Sequence, residues 1–97
     1  MKENTRRSCL VRLRRIEGQV RGVARMTIED RYCIDVVTQI QAARAALERV
    51  ENMVLKDHIE TCVEHAIESG DARDQRRKVN ELLQVFGRAR TERPVVR

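Results

Sequence analysis

His58 and Cys62, in the stretch "KDHIETCVEH" of residues 56–65, stand four apart with no Gly or Pro between them. A helix therefore carries both on one face, one turn apart. An imidazole and a thiolate so placed can grip a soft metal ion. Two donors are rarely enough, and Cys33 is the candidate third, 25 residues before His58 and near the N-terminus of the long helical segment that carries all three, where the helix macrodipole favours thiolate. His65, three residues past Cys62 and near the same face, is a possible fourth. Two thiolates and one imidazole suit Cu(I), which prefers soft ligands and low coordination number; adding His65 gives a four-donor set more typical of Zn(II) or a similar divalent ion. The same residues also fit a plain apolar core, and spacing alone does not choose among these readings.

The elements that must position these donors are helical. The chain has one Pro, four Gly, no Trp and two aromatic residues, which suits helices and gives little material for sheets. An all-α fold is expected, with a first helix over about 5–27. In it Cys9, Leu13, Ile16, Val20 and Val23 form an apolar stripe, and Arg7, Arg14, Arg21 and Arg25 line the opposite side. Cys9 falls in the packed stripe and reads as a small core residue. Gly18 and Gly22 have the spacing of a close helix contact. Asp30 is the expected N-cap of a second helix over about 31–69, in which Val36, Ile40, Ala43, Leu47, Val50 and Val54 recur at spacings of four and three, as in a coiled-coil seam. Ser69 and Gly70 end it, and Asp71 caps a third helix over about 72–87 that carries Val79, Leu82, Leu83 and Phe86. The rest, 88–97, is expected to be a basic, mobile tail, and 1–97 to be a single domain.

Cys33, His58 and Cys62 all fall on or beside the seam. Along one straight helix, however, Cys33 and His58 are separated by roughly 37 Å at about 1.5 Å per residue. Ligands of one ion lie within about 4 Å of each other, given bonds of about 2.0–2.3 Å. If two copies of the second helix pack antiparallel through the seam, Cys33 of one meets His58 and Cys62 of the other, and twofold symmetry creates two identical sites. A 97-residue chain that buries a modest fraction of its surface alone gives an independent reason to expect an oligomer.

Charge points the same molecule at an anionic partner. Residues 1–28 hold eight basic groups against Glu3 and Glu17, a net +6, while the remaining 69 residues net −1. Such a stripe attracts nucleic acid phosphates, an anionic membrane or an acidic protein, and charge alone does not select one. No apolar run approaches the roughly 20 residues of a membrane span, the start lacks a signal-peptide core, and three cysteines do not make a disulfide scaffold, so a cytoplasmic protein without a membrane partner is expected. No orienting third group, oxyanion donors or Gly-rich turn accompany a Cys/His pair, which argues against an enzyme. No helix-turn-helix pattern fits, and two aromatics give no base-stacking platform.

"RLRRIEGQVRGV", "YCIDVVTQI" and "DHIETC", in this order, resemble the family of copper-sensitive operon repressors, over about residues 5–87. The resemblance implies a three-helix protomer, an antiparallel dimer forming a four-helix bundle with the third helix added, and a tetramer built as a dimer of dimers. It implies a repressor that binds double-stranded operator DNA without a helix-turn-helix, which explains the basic first helix, and Arg12, Arg14, Arg15 and Arg21 of that helix are the expected DNA contacts. Cys33, His58 and Cys62 match the family's Cu(I) ligands, shared across the dimer. Tyr32 and Glu81 match residues that hydrogen-bond the ring nitrogen of the histidine turned away from the metal, a role that the helical wheel does not predict for Glu81.

Relatives that sense other inducers depart from this chain at identifiable positions. The nickel and cobalt sensors carry His where Cys62 stands and use a His or an amine at the N-terminus, whereas positions 2–8 here hold no His. Formaldehyde sensors have Pro where Lys2 stands, and persulfide sensors lack the His matching His58. The resemblance thus implies a repressor released from its operator by Cu(I), which derepresses genes of copper efflux or storage. The alternative is a sensor of the same fold that responds to Ni, Co or Zn ions, formaldehyde or persulfide through Cys33.

Overall fold

The computed structural model describes residues 1–92, with side chains through Gly87. It is all-α: α1 (Glu3–Ile28), α2 (Cys33–His58), a π-helical turn (Ile59–Val63), α3 (Glu64–Ser69) and α4 (Ala72–Glu92). The chain divides into two compact units, Met1–Asp57 and the part from His58 onward.

In the first unit α1 and α2 are antiparallel. Cys9 and Ile16 of α1 and Val50 of α2 are buried together, with Leu13, Ala46, Met53 and Val54 packed against them. Cys9 is therefore a core residue, as its place on the stripe predicts. Val20, expected in the same stripe, is exposed. The seam of α2 also divides: Ala43 and Val50 are buried and Val54 is half-buried, but Ile40 and Leu47 are exposed, as are the neighbouring Ile34 and Val37. Asp57 is buried with Ala43 and Val50, and the half-buried Ala46 and Met53 widen the covered face toward one flank of the expected seam, so its other flank stays uncovered in the protomer. The close contact expected at Gly18 and Gly22 is not made: a Cβ at either position would meet nothing within 4 Å.

The connection between these helices corrects a second expectation. Asp30, read as the N-cap of the second helix, instead terminates the first. Its φ of 54° is left-handed, Arg31 N–H donates to the Met26 carbonyl at 2.9 Å, and Asp30 N–H donates to that of Thr27 at 3.2 Å. These are the two bonds of a Schellman ending, with a short polar residue in the place usually held by glycine. α2 then starts after Tyr32, whose carbonyl accepts the N–H groups of Asp35 and Val36 at 3.0 and 3.2 Å.

In the second unit α3 packs on the π turn and on α4. Gly70, at φ 72°, closes α3 in the left-handed region that a side chain disfavours. Asp71 caps α4 as its type predicts: its Oδ1 accepts the N–H groups of Arg73 and Asp74 at 3.0 and 3.4 Å. Gln75 reaches back to donate to the carbonyls of Ala66 and Ile67 at 3.4 Å, and Ala66 is fully buried. The expected second helix over 31–69 is thus not one α-helix, because the π turn interrupts it. The last helix continues to Glu92, so residues 88–92 of the expected tail are helical. The remainder of that tail, 93–97, lies outside the described residues. No helix among the described residues is long and apolar enough to cross a membrane.

Candidate metal centre

His58 is the last residue of α2 and Cys62 lies within the π turn that follows. A π turn widens the helix by one residue, breaks the regular i→i−4 ladder, and is found preferentially at functional positions. Both side chains are half-buried, accessible to an ion while still packed. α4 brings Glu81 to the imidazole: its Oε2 stands 4.0 Å from His58 Nε2, beyond hydrogen-bond length but within reach of a small side-chain rotation. On the other donor, Thr61 Oγ1 stands 3.5 Å from Cys62 Sγ.

Cys33 is exposed and opens α2, at the opposite end of that helix from His58. Tyr32, just before it, is also exposed. His65 is exposed on α3. Among the described residues of one protomer no three His, Cys, Asp or Glu side chains gather where they could hold a metal ion. What one protomer supplies at His58 and Cys62 is a soft half-site of one imidazole and one thiol. A second thiol from another copy would complete a donor set suited to a soft ion of low coordination number.

Asp57, immediately before His58, is a residue that the sequence reading did not single out. It is 4% exposed and accepts the backbone N–H of Lys2 on Oδ1 at 3.1 Å. Burial works to raise its pKa. The Lys2 N–H, the Thr5 hydroxyl, the Met1 amino group 3.9 Å from Oδ2 and the Lys2 charge outweigh burial and hold the carboxyl below the ordinary aspartate value of 3.8. A signal for it existed: Val50, Val54 and Asp57 follow the four-three spacing of the packed stripe, which places a carboxylate where apolar residues are expected.

Arg12, Arg14, Arg15 and Arg21 are all exposed on α1. They do not form one row. Arg12 and Arg15 line a shallow open groove with Arg7, Ser8 and Val11, whereas Arg14 and Arg21 are not part of that lining. Arg7 joins this surface from outside the expected set, but it also pairs with Glu3 at 3.4 Å.

A family model described as a metal-sensitive transcriptional repressor matches residues 5–88. The copper-sensing transcriptional repressor CsoR of Bacillus subtilis (strain 168) is 49% identical over 75 residues, 77% of this chain and 71% of the relative. Among solved structures, the copper-sensing repressor CsoR with Cu(I) from Geobacillus thermodenitrificans NG80-2 superposes with a TM-score of 0.77 at 38% identity, over 90% of this chain and 91% of the other. The nickel-responsive transcriptional regulator InrS superposes with a TM-score of 0.72, also at 38% identity, over 82% of this chain and 90% of the other.

Proposed function

The chain belongs to the metal-sensitive transcriptional repressor family, and from that premise we propose that it binds operator DNA when metal-free and leaves it when Cu(I) occupies Cys33, His58 and Cys62. The family is one of transcriptional repressors rather than enzymes. The observation that carries the choice of ion is the donor set: a half-buried thiol and imidazole beside a carboxylate, with a second, exposed thiol at the far end of α2. Cu(I) accepts two thiolates and one imidazole without further ligands. The likeness to a copper-sensing relative at 49% identity supports the same ion.

The chain's own residues divide the work. Cys33 of one protomer joins His58 and Cys62 of its partner in an antiparallel homodimer, and the uncovered side of α2, with Ile34, Val37, Ile40 and Leu47, supplies the apolar surface for that pairing. Two such dimers associate as a tetramer. Glu81 takes the Nε2–H of His58, which fixes the ring and leaves Nδ1 for the ion. Tyr32 is assigned the same task from the other chain, at the end where Cys33 lies. Arg12, Arg14, Arg15 and Arg21 hold phosphates, and release follows if the ion-bound protein binds DNA more weakly; typical couplings are about 1–3 kcal/mol per ligand.

A second reading is a divalent-ion sensor of the same fold, favoured by the likeness to a nickel-responsive regulator and by His65 seven residues past His58. Anaerobic titration of reduced protein with Cu(I), Ni(II) and Zn(II), following operator release, separates the two. Stoichiometric release by Cu(I) alone supports the first, and release by Ni(II) or Zn(II) at lower concentration replaces it with the second.

A further inference from the structure

Thr61 lies between the two donors and has no part in the reading above. Its Oγ1 is 3.5 Å from Cys62 Sγ, and both residues are half-buried inside the π turn. Residues one apart on a helix do not ordinarily face each other. Thr27 and Thr38, each within a long α-helix, show the common arrangement: they donate their hydroxyls to the carbonyls of Val23 and Ile34, four residues back, at 2.9 and 2.8 Å. At Thr61 the hydroxyl oxygen has also been brought against a neighbouring side chain, where the α-helix gives way to the π turn.

We infer that Thr61 is the hydrogen-bond partner of the Cys62 sulfur and positions that sulfur for the metal ion. The inference rests on the metal-sensing reading and adds a residue to it. While Cys62 is a thiol, either atom can be the donor. When the sulfur binds a metal ion its proton leaves to solvent, and a thiolate can only accept; Thr61 O–H is then the donor. The bond restricts the Cys62 rotamer and withdraws charge from the sulfur, as outer hydrogen bonds to metal ligands do. Valine has the shape of threonine without the hydroxyl, and serine keeps the hydroxyl without the methyl group, so the two substitutions separate hydrogen bonding from packing.

The test uses the reduced full-length protein as wild type, Thr61→Val and Thr61→Ser, with melting curves to establish that each is folded. In metal-free protein, the Raman difference spectrum between Thr61→Val and wild type isolates the S–H stretch of the thiol whose partner was removed. With Cu(I), competition against a chelator gives affinity, and the ultraviolet thiolate-to-copper charge-transfer band reports charge on the sulfur. Thr61→Val is expected to move an S–H stretch toward the free-thiol position, to weaken Cu(I) binding by about 10–100-fold, and to shift the charge-transfer band to lower energy. Thr61→Ser is expected to restore all three. An S–H stretch and a charge-transfer band both unchanged in Thr61→Val overturn the inference, as does a loss of affinity that Thr61→Ser fails to restore. If the wild type itself binds no Cu(I), the Cu(I) reading falls, while the metal-free S–H comparison still tests the Thr61–Cys62 bond.

Discussion

Asp57 Oδ1 accepts the Lys2 N–H at 3.1 Å, so the residue that precedes the candidate ligand His58 also holds the start of the basic helix. The bond crosses 55 positions of sequence and ties the open end of the α1–α2 hairpin.

That tie has a pH dependence of definite sign. The Asp57 pKa is lower in the folded protein than its ordinary 3.8, so the folded state binds the proton less readily than the unfolded chain. Its stabilising contribution is full above the unfolded pKa and disappears as pH falls through the folded value. Asp57→Asn is expected to melt at a lower temperature than wild type at pH 7 and to show a flatter decline in stability below about pH 4. Melting temperatures of both proteins from pH 7 to pH 2 check this; parallel acid limbs would show that the carboxylate charge does not matter.

Sharing of the site between chains is tested by complementation. Neither Cys33→Ala nor His58→Ala alone should bind Cu(I) tightly. Subunit exchange between them should create mixed dimers with one intact and one doubly broken site, restoring about a quarter of the sites under random pairing. Cu(I) titration of the exchanged mixture against the unmixed parents reads the result, and an exchanged mixture with no tight sites excludes the antiparallel arrangement.

Glu81 stands 4.0 Å from the His58 ring nitrogen without being needed as a ligand in the proposed set. Glu81→Ala should therefore retain Cu(I) binding within roughly a 10–100-fold loss and bind operator normally when metal-free. It should remain on DNA when copper is added. Operator affinity with and without Cu(I), measured beside Cu(I) affinity, distinguishes this from a variant that releases like wild type and so has no role in coupling.

Arg14 and Arg21 are exposed, so replacing each with Ala should leave folding intact. If each contacts a phosphate, its loss weakens specific and nonspecific DNA alike and reduces the slope of log K against log salt by about one unit. The same measurement on Arg12→Ala and Arg15→Ala, which line the groove with Arg7, shows which side of α1 meets DNA. An unchanged slope in the Arg14 and Arg21 variants assigns the contacts to that groove or to another element.

Much of this architecture is legible in local patterns. Cys9 and Ile16 lie on one helical stripe and are buried together, and Asp71 after a glycine caps the next helix through two N–H groups. Elements that depend on a specific tertiary neighbour were less legible. Asp30 has the residue type of an N-cap, yet the chain uses its tolerance of positive φ to end α1. Val20 follows the stripe but has no cover, because periodicity gives a face without giving its width. The π turn leaves no periodic mark that distinguishes it from α-helix, and Glu81 approaches His58 only because Gly70 and Asp71 set the direction of α4. The charge of Asp57 argues for exposure, and only the two helices together satisfy it.

The Schellman ending at Asp30 also sets an order of events in folding. With α1 and α2 joined by four residues, contacts nearest that connection close small loops and cost the least chain entropy, whereas the ties of Met1 and Lys2 to Asp57 close the longest loops in the hairpin. The hairpin therefore zips from Asp30 outward and frays from Asp57 inward. During synthesis the early turns can associate as soon as α2 emerges, and the strand of contacts is completed only when residue 57 appears, one position before the first of the two donors in the following unit.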